Sequence, residues 1–108
     1  LVPYWDFDAP RIPDEPRDAS AAAIIASALY ELGSYASADK KATYLAKADQ
    51  IMASLNSPAY RAEAGTNNFF MLKHSVGSIP HGAEIDVPLN YADYYFLEAL
   101  RRKMNLEN

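Results

Sequence analysis

His74, Ser75 and Ser78 lie within the five-residue run HSVGS at positions 74–78. Serine hydroxyls, an imidazole and the backbone N–H groups of a loop rich in small residues offer both hydrogen-bond donors and acceptors. Aromatic residues occur in the same stretch, and aromatic faces beside such polar groups suit a sugar ligand. These three residues are therefore candidates for hydrogen bonds to a sugar. The alternative is a tight turn whose serines bond only to their own backbone.

Other chemistries could draw on the same stretch, but none has its usual spacing. A serine nucleophile with a histidine base would use Ser75 or Ser78, yet no GxSxG sequence is present. A zinc site would need the histidines and acids of this stretch, which are His74, His81, Glu84 and Asp86. Their spacing fits no usual zinc pattern such as HExxH, so no metal centre is predicted. Two carboxylates in one loop are likewise no motif for glycoside chemistry.

The candidate residues belong to a long connection between two helical patterns, from position 61 to 88. Connections beyond roughly 12 to 15 residues are uncommon inside compact domains and are usually functional or disordered. This one contains too many apolar residues for a solvated linker. We expect a long ordered loop that forms one wall of a binding cleft, most of which lies outside this chain.

Three helices are predicted to position this loop, which makes the chain all-α. The first begins at Asp18 or Ser20 and ends at Leu32, before Gly33, which tolerates the left-handed conformation of many helix ends. Alanines in this helix predict close approach to its neighbours. Its apolar stripe at helical spacing consists of Ile24, Ile25, Ala28, Leu29 and Leu32.

The second helix is predicted to begin at Ser37 or Asp39 and to end at Asn56. The third has Asn90 as its N-cap, with Asp93 in a weak capping-box position. One face of the third helix is predicted to hold Ala92, Tyr95, Ala99 and Met104. Three helices and a loop make a thin core, so independent stability would be marginal without a partner.

Prolines 10, 13 and 16 predict an extended, polyproline-like strap before the first helix. In that strap we expect Trp5 to be a core residue rather than a platform for a sugar. The chain lacks an initial methionine and opens inside an apolar and aromatic run, which suggests a piece of a longer protein.

Composition excludes several classes of partner. The chain has 108 residues, enough for one domain at most, and a net charge of −4. Its basic residues are mostly scattered, which disfavours nucleic acid because phosphate binding needs a basic face. No apolar run approaches the roughly 20 residues that span a bilayer, so no membrane association is predicted. Absence of cysteine excludes disulfides and thiolate metal sites and leaves the compartment open.

Three strings in this sequence together resemble one family, the unsaturated glucuronyl hydrolases of glycoside hydrolase family 88. The strings are VPYWDFDAP at 2–10, RDASAAAIIASALYEL at 17–32 and HSVGSIPHGAEIDVPLNYADYYFLEAL at 74–100. The resemblance covers almost the whole chain and is weakest over residues 34 to 68. It implies an (α/α)6 barrel of six helical hairpins, of which residues 1–108 would be a single C-terminal segment that supplies the last hairpin and a half.

The family's activity is removal of the unsaturated (4,5-ene) glucuronyl residue from oligosaccharides made by polysaccharide lyases. The resemblance implies hydration of the double bond by an aspartate pair, without metal or cofactor. Those aspartates lie in the family's N-terminal portion. None of the aspartates at 6, 8, 18, 86 or 93 is therefore expected to be catalytic.

The resemblance also bears on the candidate binding residues. Ser75 and Ser78 resemble a pair that approaches the sugar next to the unsaturated residue, and His74 lies at the same rim. Sulfate-preferring members carry a lysine two residues beyond the second serine, where this chain has Pro80. A strong preference for sulfated disaccharides is therefore not implied, because the compact cation is missing.

The implied partners are an unsaturated oligosaccharide and either the remaining hairpins of the parent barrel or a second copy of the segment. One alternative is a stand-alone helical module for carbohydrate binding or protein interaction. Another is a related unsaturated rhamnogalacturonyl hydrolase built on the same barrel. Any targeting signal would lie upstream, so the localisation is not predicted.

Overall fold

The computed structural model describes residues 1–107 and is mainly helical. Helix α1 spans Ala19–Leu32, helix α2 spans Ala38–Leu55 and helix α3 spans Asn90–Glu107. Helix α1 packs against both of the others and is the central helix of the three. The predicted all-α class with three helices is confirmed. Within the described residues, no helix is both long enough and apolar enough to cross a bilayer.

Local capping signals explain where the helices begin and end. The Asp18 carboxylate accepts a hydrogen bond from the backbone N–H of Ser20 at 3.0 Å, which satisfies a free donor in the first turn of α1. Ser37 is the N-cap of α2 and Asn56 its C-cap, as predicted. Gly33 follows α1, but its φ of −56° is right-handed because the chain continues into a 3-10 turn. The predicted end of α1 before Gly33 is confirmed, and the left-handed conformation expected there is wrong.

Small residues form the centre of the core. Four alanines of α1 are fully buried, at positions 19, 22, 23 and 26. Helix α3 adds Ala92, Phe96 and Ala99 to the same cluster, and each is fully buried. Because alanine ends at Cβ, the helix backbones can approach closely, as the sequence analysis predicted.

Three bulky apolar residues of α1 point away from this core, whereas Leu29 packs partly against it. Ile24 is 40% exposed, Ile25 is 37% exposed and Leu32 is 45% exposed. A stripe at helical spacing normally faces the core, but here the narrow interfaces of α1 are filled by alanine. In α3, Met104 is 58% exposed, so its expected place beside Ala92 and Ala99 is wrong.

Two polar clusters join the helices across this core. Asp49 of α2 accepts hydrogen bonds from the Tyr30 hydroxyl of α1 at 2.6 Å and from Lys103 of α3 at 2.7 Å. Arg102 of α3 donates to the backbone carbonyl of Ser27 in α1 at 2.9 Å and to its hydroxyl at 3.0 Å. One carboxylate therefore connects all three helices, and one guanidinium connects α1 to α3.

The N-terminal strap is folded back on itself. Tyr4 pairs with Arg17 in an antiparallel bridge, and the backbone N–H of Trp5 donates to the Pro16 carbonyl at 3.0 Å. The chain therefore reverses direction, and the predicted extended path is wrong. Trp5 is half-buried, and its indole N–H donates to Glu15 at 3.2 Å.

The long connection between α2 and α3 contains a hairpin that the sequence did not predict. Strand β1 spans Ser75–Ser78 and pairs in antiparallel fashion with strand β2, which spans Ala83–Val87. The register is irregular after Ser75. Strands of four and five residues are too short for a clear alternating pattern, so the ordered loop predicted over 61–88 also carries this small sheet.

Candidate functional site: the hairpin of residues 74–87

The hairpin that carries the candidate residues is attached to the start of α1. The backbone N–H of Ala19 donates to the His74 carbonyl at 3.0 Å, and the Val76 N–H donates to the Asp18 carboxylate at 3.1 Å. Ser75 lies between these two attachments. The first turn of α1 therefore positions strand β1.

The start of α3 holds the segment just before the hairpin. The Asp93 carboxylate accepts hydrogen bonds from the Met71 N–H at 2.8 Å and from the Leu72 N–H at 3.0 Å. Leu72 is fully buried, so its N–H needs a partner within the protein. Asp93 thus binds backbone N–H groups of the connection between α2 and α3, and it does not form the capping box predicted for α3.

Ser75 is fully buried, and its hydroxyl has no hydrogen-bond partner among residues 1–107. A buried hydroxyl without a partner costs about 1 to 3 kcal/mol. A ligand cannot reach this hydroxyl in the present conformation. Contact between Ser75 and a sugar would require β1 to move, so its binding role stays a prediction.

Ser78 lies at the tip of the hairpin and is half-buried. Its hydroxyl is 2.6 Å from Nδ1 of His81, in the turn that closes when the Gly82 N–H donates to the Ile79 carbonyl at 2.9 Å. The imidazole therefore fixes the direction of the Ser78 hydroxyl, which a ligand at the tip can reach.

His74 is exposed at the base of the hairpin. Its Nδ1 is 2.6 Å from the Asp86 carboxylate of β2, and its ring forms a T-shaped pair with the Tyr60 ring at a centroid distance of 6.0 Å. The carboxylate and the tyrosine hold the imidazole from two sides. This leaves Nε2 as the ring nitrogen that can contact a ligand.

The backbone around the His74–Asp86 pair is left-handed at three non-glycine residues. His74, Glu84 and Asp86 have φ of 63°, 56° and 54°. This conformation costs roughly 1 to 2 kcal/mol for such residues, and it persists where surrounding contacts hold it, often at functional sites. His74 and Asp86, which form the pair, are two of these three residues. The backbone conformation that brings the pair together is therefore locally unfavourable.

The glycine of the HSVGS run is explained by close strand packing. A Cβ atom at Gly77 would lie 2.6 Å from the Cβ of Glu84 on the opposite strand. Glycine within a strand often marks such a close approach. Gly77 therefore allows the two strands to pair, and its presence does not point to a ligand.

The polar groups of the hairpin form two separate pairs. Ser78 lies beside His81 and His74 beside Asp86, and in the described part of the chain these do not combine into a Ser-His-Asp arrangement. No three His, Asp or Glu side chains within residues 1–107 come together as ligands for a metal ion. The arrangement offers hydrogen bonds to a ligand.

Two tyrosines beside the hairpin have hydroxyl groups whose pKa is raised. Burial raises the pKa of Tyr60, with Arg17 opposing the effect and Asp86 adding to it. Burial also raises the pKa of Tyr91, and the nearby Asp18 carboxylate adds to it. Both phenols stay protonated and able to donate a hydrogen bond well above neutral pH.

Sequence reasoning missed the parts that Asp18 and Asp93 play at this site. Both were identified as capping residues of their helices. Their partners Val76 and Met71 are 58 and 22 residues away in the sequence, so no local pattern could have shown these bonds.

Comparison with known proteins finds close relatives, although no family model matches the chain. An unsaturated glucuronyl hydrolase of Formosa agariphila is 55% identical over 105 residues, which are 97% of this chain and 26% of the relative. An enzyme of the same name from Bacillus sp. strain GL1 is 32% identical over 94% of this chain and 27% of the relative. The chain therefore spans about a quarter of the length of these relatives, and the match lies in their C-terminal part.

Solved structures give the same result. A crystal structure of an unsaturated glucuronyl hydrolase described as specific for heparin matches with a TM-score of 0.94 and 49% identity. The match covers 98% of this chain and 28% of that protein. A Streptococcus agalactiae enzyme of the same name, complexed with dGlcA-GalNAc6S, matches with a TM-score of 0.83 and 31% identity over 94% of this chain and 27% of its own. The fold of these proteins is an α/α barrel, so helices α1 to α3 correspond to one part of such a barrel.

Proposed function

Because this chain matches unsaturated glucuronyl hydrolases over nearly its whole length, we propose that it is the C-terminal segment of such a glycoside hydrolase. The full enzyme removes the unsaturated (4,5-ene) glucuronyl residue from lyase-generated oligosaccharides. One observation carries the proposal: a TM-score of 0.94 at 49% identity, with only 28% of the solved enzyme covered. A chain so similar and so short supplies one part of the barrel and needs the rest for activity.

The proposed reaction is hydration of the C4=C5 double bond. An acidic group protonates the double bond, water adds at C5, and the resulting hemiketal rearranges to release the sugar. This work needs a carboxyl group that stays protonated beside the alkene. We assign it to aspartates outside the segment, because Asp18 and Asp93 already accept backbone N–H groups and Asp86 pairs with His74.

The hairpin is proposed as part of the rim of the substrate cleft. Ser78 and His74 are accessible and offer a hydroxyl and an imidazole to a sugar next to the unsaturated residue. Ser75 joins this set if β1 shifts on binding. Two of the solved relatives hold dGlcA-Glc-Rha-Glc and dGlcA-GalNAc6S, which supports an oligosaccharide as the ligand.

The outer face of α1 is proposed to be covered by the remaining hairpins of the parent barrel. Ile24, Ile25 and Leu32 lie on this face with more than a third of their surface exposed. Contiguous exposed apolar surface marks an interaction site. The relatives are about four times as long as this chain and have an α/α barrel fold, which supports this placement.

Two purified proteins test the proposal: the full-length parent and the 108-residue segment. Each is given an unsaturated disaccharide, and the loss of ultraviolet absorbance of its double bond is followed. We expect turnover by the parent and none by the segment. Turnover by the segment would contradict the placement of the catalytic aspartates outside it.

The choice of substrate separates the related activities. Unsulfated and sulfated unsaturated disaccharides and an unsaturated rhamnogalacturonan fragment are compared at equal concentration. Pro80 predicts no strong preference for the sulfated disaccharide. A parent that acts only on the rhamnogalacturonan fragment would show that the proposed substrate is wrong.

A further inference from the structure

We infer that Asp18 is a positioning residue whose carboxylate sets the orientation of the hairpin of residues 74–87 toward the substrate. It does so without touching the substrate or the reacting bond. The inference rests on the proposed function, because it takes the hairpin as part of the substrate rim. It identifies Asp18, far from the hairpin in the sequence, as a residue that supports this rim from behind.

The Asp18 carboxylate connects α1 to the hairpin through a single oxygen. Oδ1 accepts hydrogen bonds from the Ser20 N–H at 3.0 Å, the Ser20 hydroxyl at 2.6 Å and the Val76 N–H at 3.1 Å. The neighbouring Ala19 N–H donates to the His74 carbonyl at 3.0 Å. Both residues that flank Ser75 are therefore held by the first turn of α1.

Apolar packing alone gives the hairpin little support. The residues of β2 from 83 to 86 are all exposed, whereas in β1 Ser75 and Val76 are buried. Three non-glycine residues of the hairpin are also left-handed, which disfavours its backbone conformation. Under these conditions the hydrogen bond that the Asp18 carboxylate accepts from the Val76 N–H has a large share in fixing the hairpin, because a bond to a charged acceptor is stronger than one between neutral groups.

Three substitutions separate the capping of α1 from the hold on the hairpin. Asn at position 18 is as good an N-cap as Asp and keeps an oxygen at the same distance from the backbone. Ser is also a good N-cap, but its hydroxyl is one bond closer to the backbone and falls short of Val76. Ala can do neither.

The experiment measures kcat, KM and amide hydrogen exchange for the full-length parent and its variants. In Asp18→Ser we expect KM to rise about tenfold, which corresponds to the loss of one charge-assisted hydrogen bond, with kcat within about twofold. A loosened rim weakens ground-state and transition-state binding equally, so KM changes and kcat does not. Amides of residues 74–78 should exchange faster in this variant.

The other variants serve as comparisons. Asp18→Asn keeps a neutral acceptor, so its KM should lie between those of the parent and Asp18→Ser, about threefold above the parent. Asp18→Ala should show the higher KM together with a lower Tm from loss of the cap. Asp8→Ser removes an exposed carboxylate of the strap and should leave both KM and exchange unchanged.

Two outcomes would overturn the inference. One is an unchanged KM in Asp18→Ser, whether or not the hairpin amides exchange faster. The other is a parallel fall of kcat and Tm in all three variants, which would mean general destabilisation. If the parent itself fails to act on any unsaturated disaccharide, the proposed function fails, and faster exchange in Asp18→Ser alone still shows that Asp18 holds the hairpin.

Discussion

At the scale of single residues, two serines with the same chemistry have different surroundings. Ser75 and Ser78 are three positions apart in one strand, yet Ser75 is fully buried and Ser78 is half-buried beside His81. Hydrogen bonds that join His74 and Val76 to the first turn of α1 lie on either side of Ser75, and Ser75 is buried there. Equal residue type therefore does not mean equal access to a ligand.

Ser78→Ala in the full-length parent is expected to raise KM by roughly five- to tenfold, because it removes the hydroxyl that we propose bonds to the sugar. Ser75→Ala is the matched control. It should change KM by less than about twofold and leave the free energy of unfolding unchanged or slightly higher, because it removes an unpaired buried hydroxyl. A rise in KM with Ser75→Ala as large as with Ser78→Ala would show that β1 moves and exposes Ser75 on binding.

At the scale of elements, the helices follow from local signals and the hairpin does not. Asp18 caps α1 through a hydrogen bond to Ser20, and α2 lies between Ser37 and Asn56, so the sequence predicts these ends correctly. The hairpin depends on the starts of two helices, since Asp18 and Asp93 bond to backbone groups far away in the sequence. Such contacts exist only once the helices have packed.

Asp93→Ala tests the contact between α3 and the connection. It should lower the free energy of unfolding by about 2 kcal/mol, because the N–H of fully buried Leu72 loses its acceptor. Asp93→Asn keeps one acceptor oxygen and should cost about half as much. Denaturant unfolding of the full-length parent measures both, and hydrogen exchange at residues 71 and 72 shows whether the effect is local. Equal stability of both variants and the parent would contradict this role.

At the scale of the whole molecule, polar contacts join three helices whose apolar core is thin. Asp49 is the point where α1, α2 and α3 meet, through Tyr30 and Lys103. The hydrogen bond from Lys103, followed by that from Tyr30, lowers the pKa of the Asp49 carboxyl below its ordinary value. On the outer face of α1, Ile24, Ile25 and Leu32 stay exposed, so apolar packing among the three helices leaves these side chains uncovered.

The lowered pKa of Asp49 predicts a stability that depends on pH. A carboxyl whose pKa is lower in the folded state contributes stability above its unfolded value, about 3.9, and loses that contribution as the pH falls through the folded value. The denaturant concentration at the unfolding midpoint should therefore decrease as the pH is lowered below about 4. In Asp49→Asn this decrease with pH should be smaller. Asp8→Asn, at an exposed carboxylate, should leave the slope unchanged. If the unfolding midpoint of Asp49→Asn decreased as steeply with falling pH as that of the parent, Asp49 would not be a source of this pH dependence.

The sequence by itself determined the helices, most of their ends and the family resemblance. These features depend on neighbouring residues: capping at Asp18 and Ser37, helical periodicity in α2, and strings of residues such as 74–100. Tertiary structure alone decided that Ile24 and Leu32 face outward, that Ser75 is buried, and that Asp93 bonds to the connection. The physical reason is that burial and long-range hydrogen bonds depend on which surfaces meet, and close packing through alanine leaves the bulky residues Ile24 and Leu32 of α1 exposed.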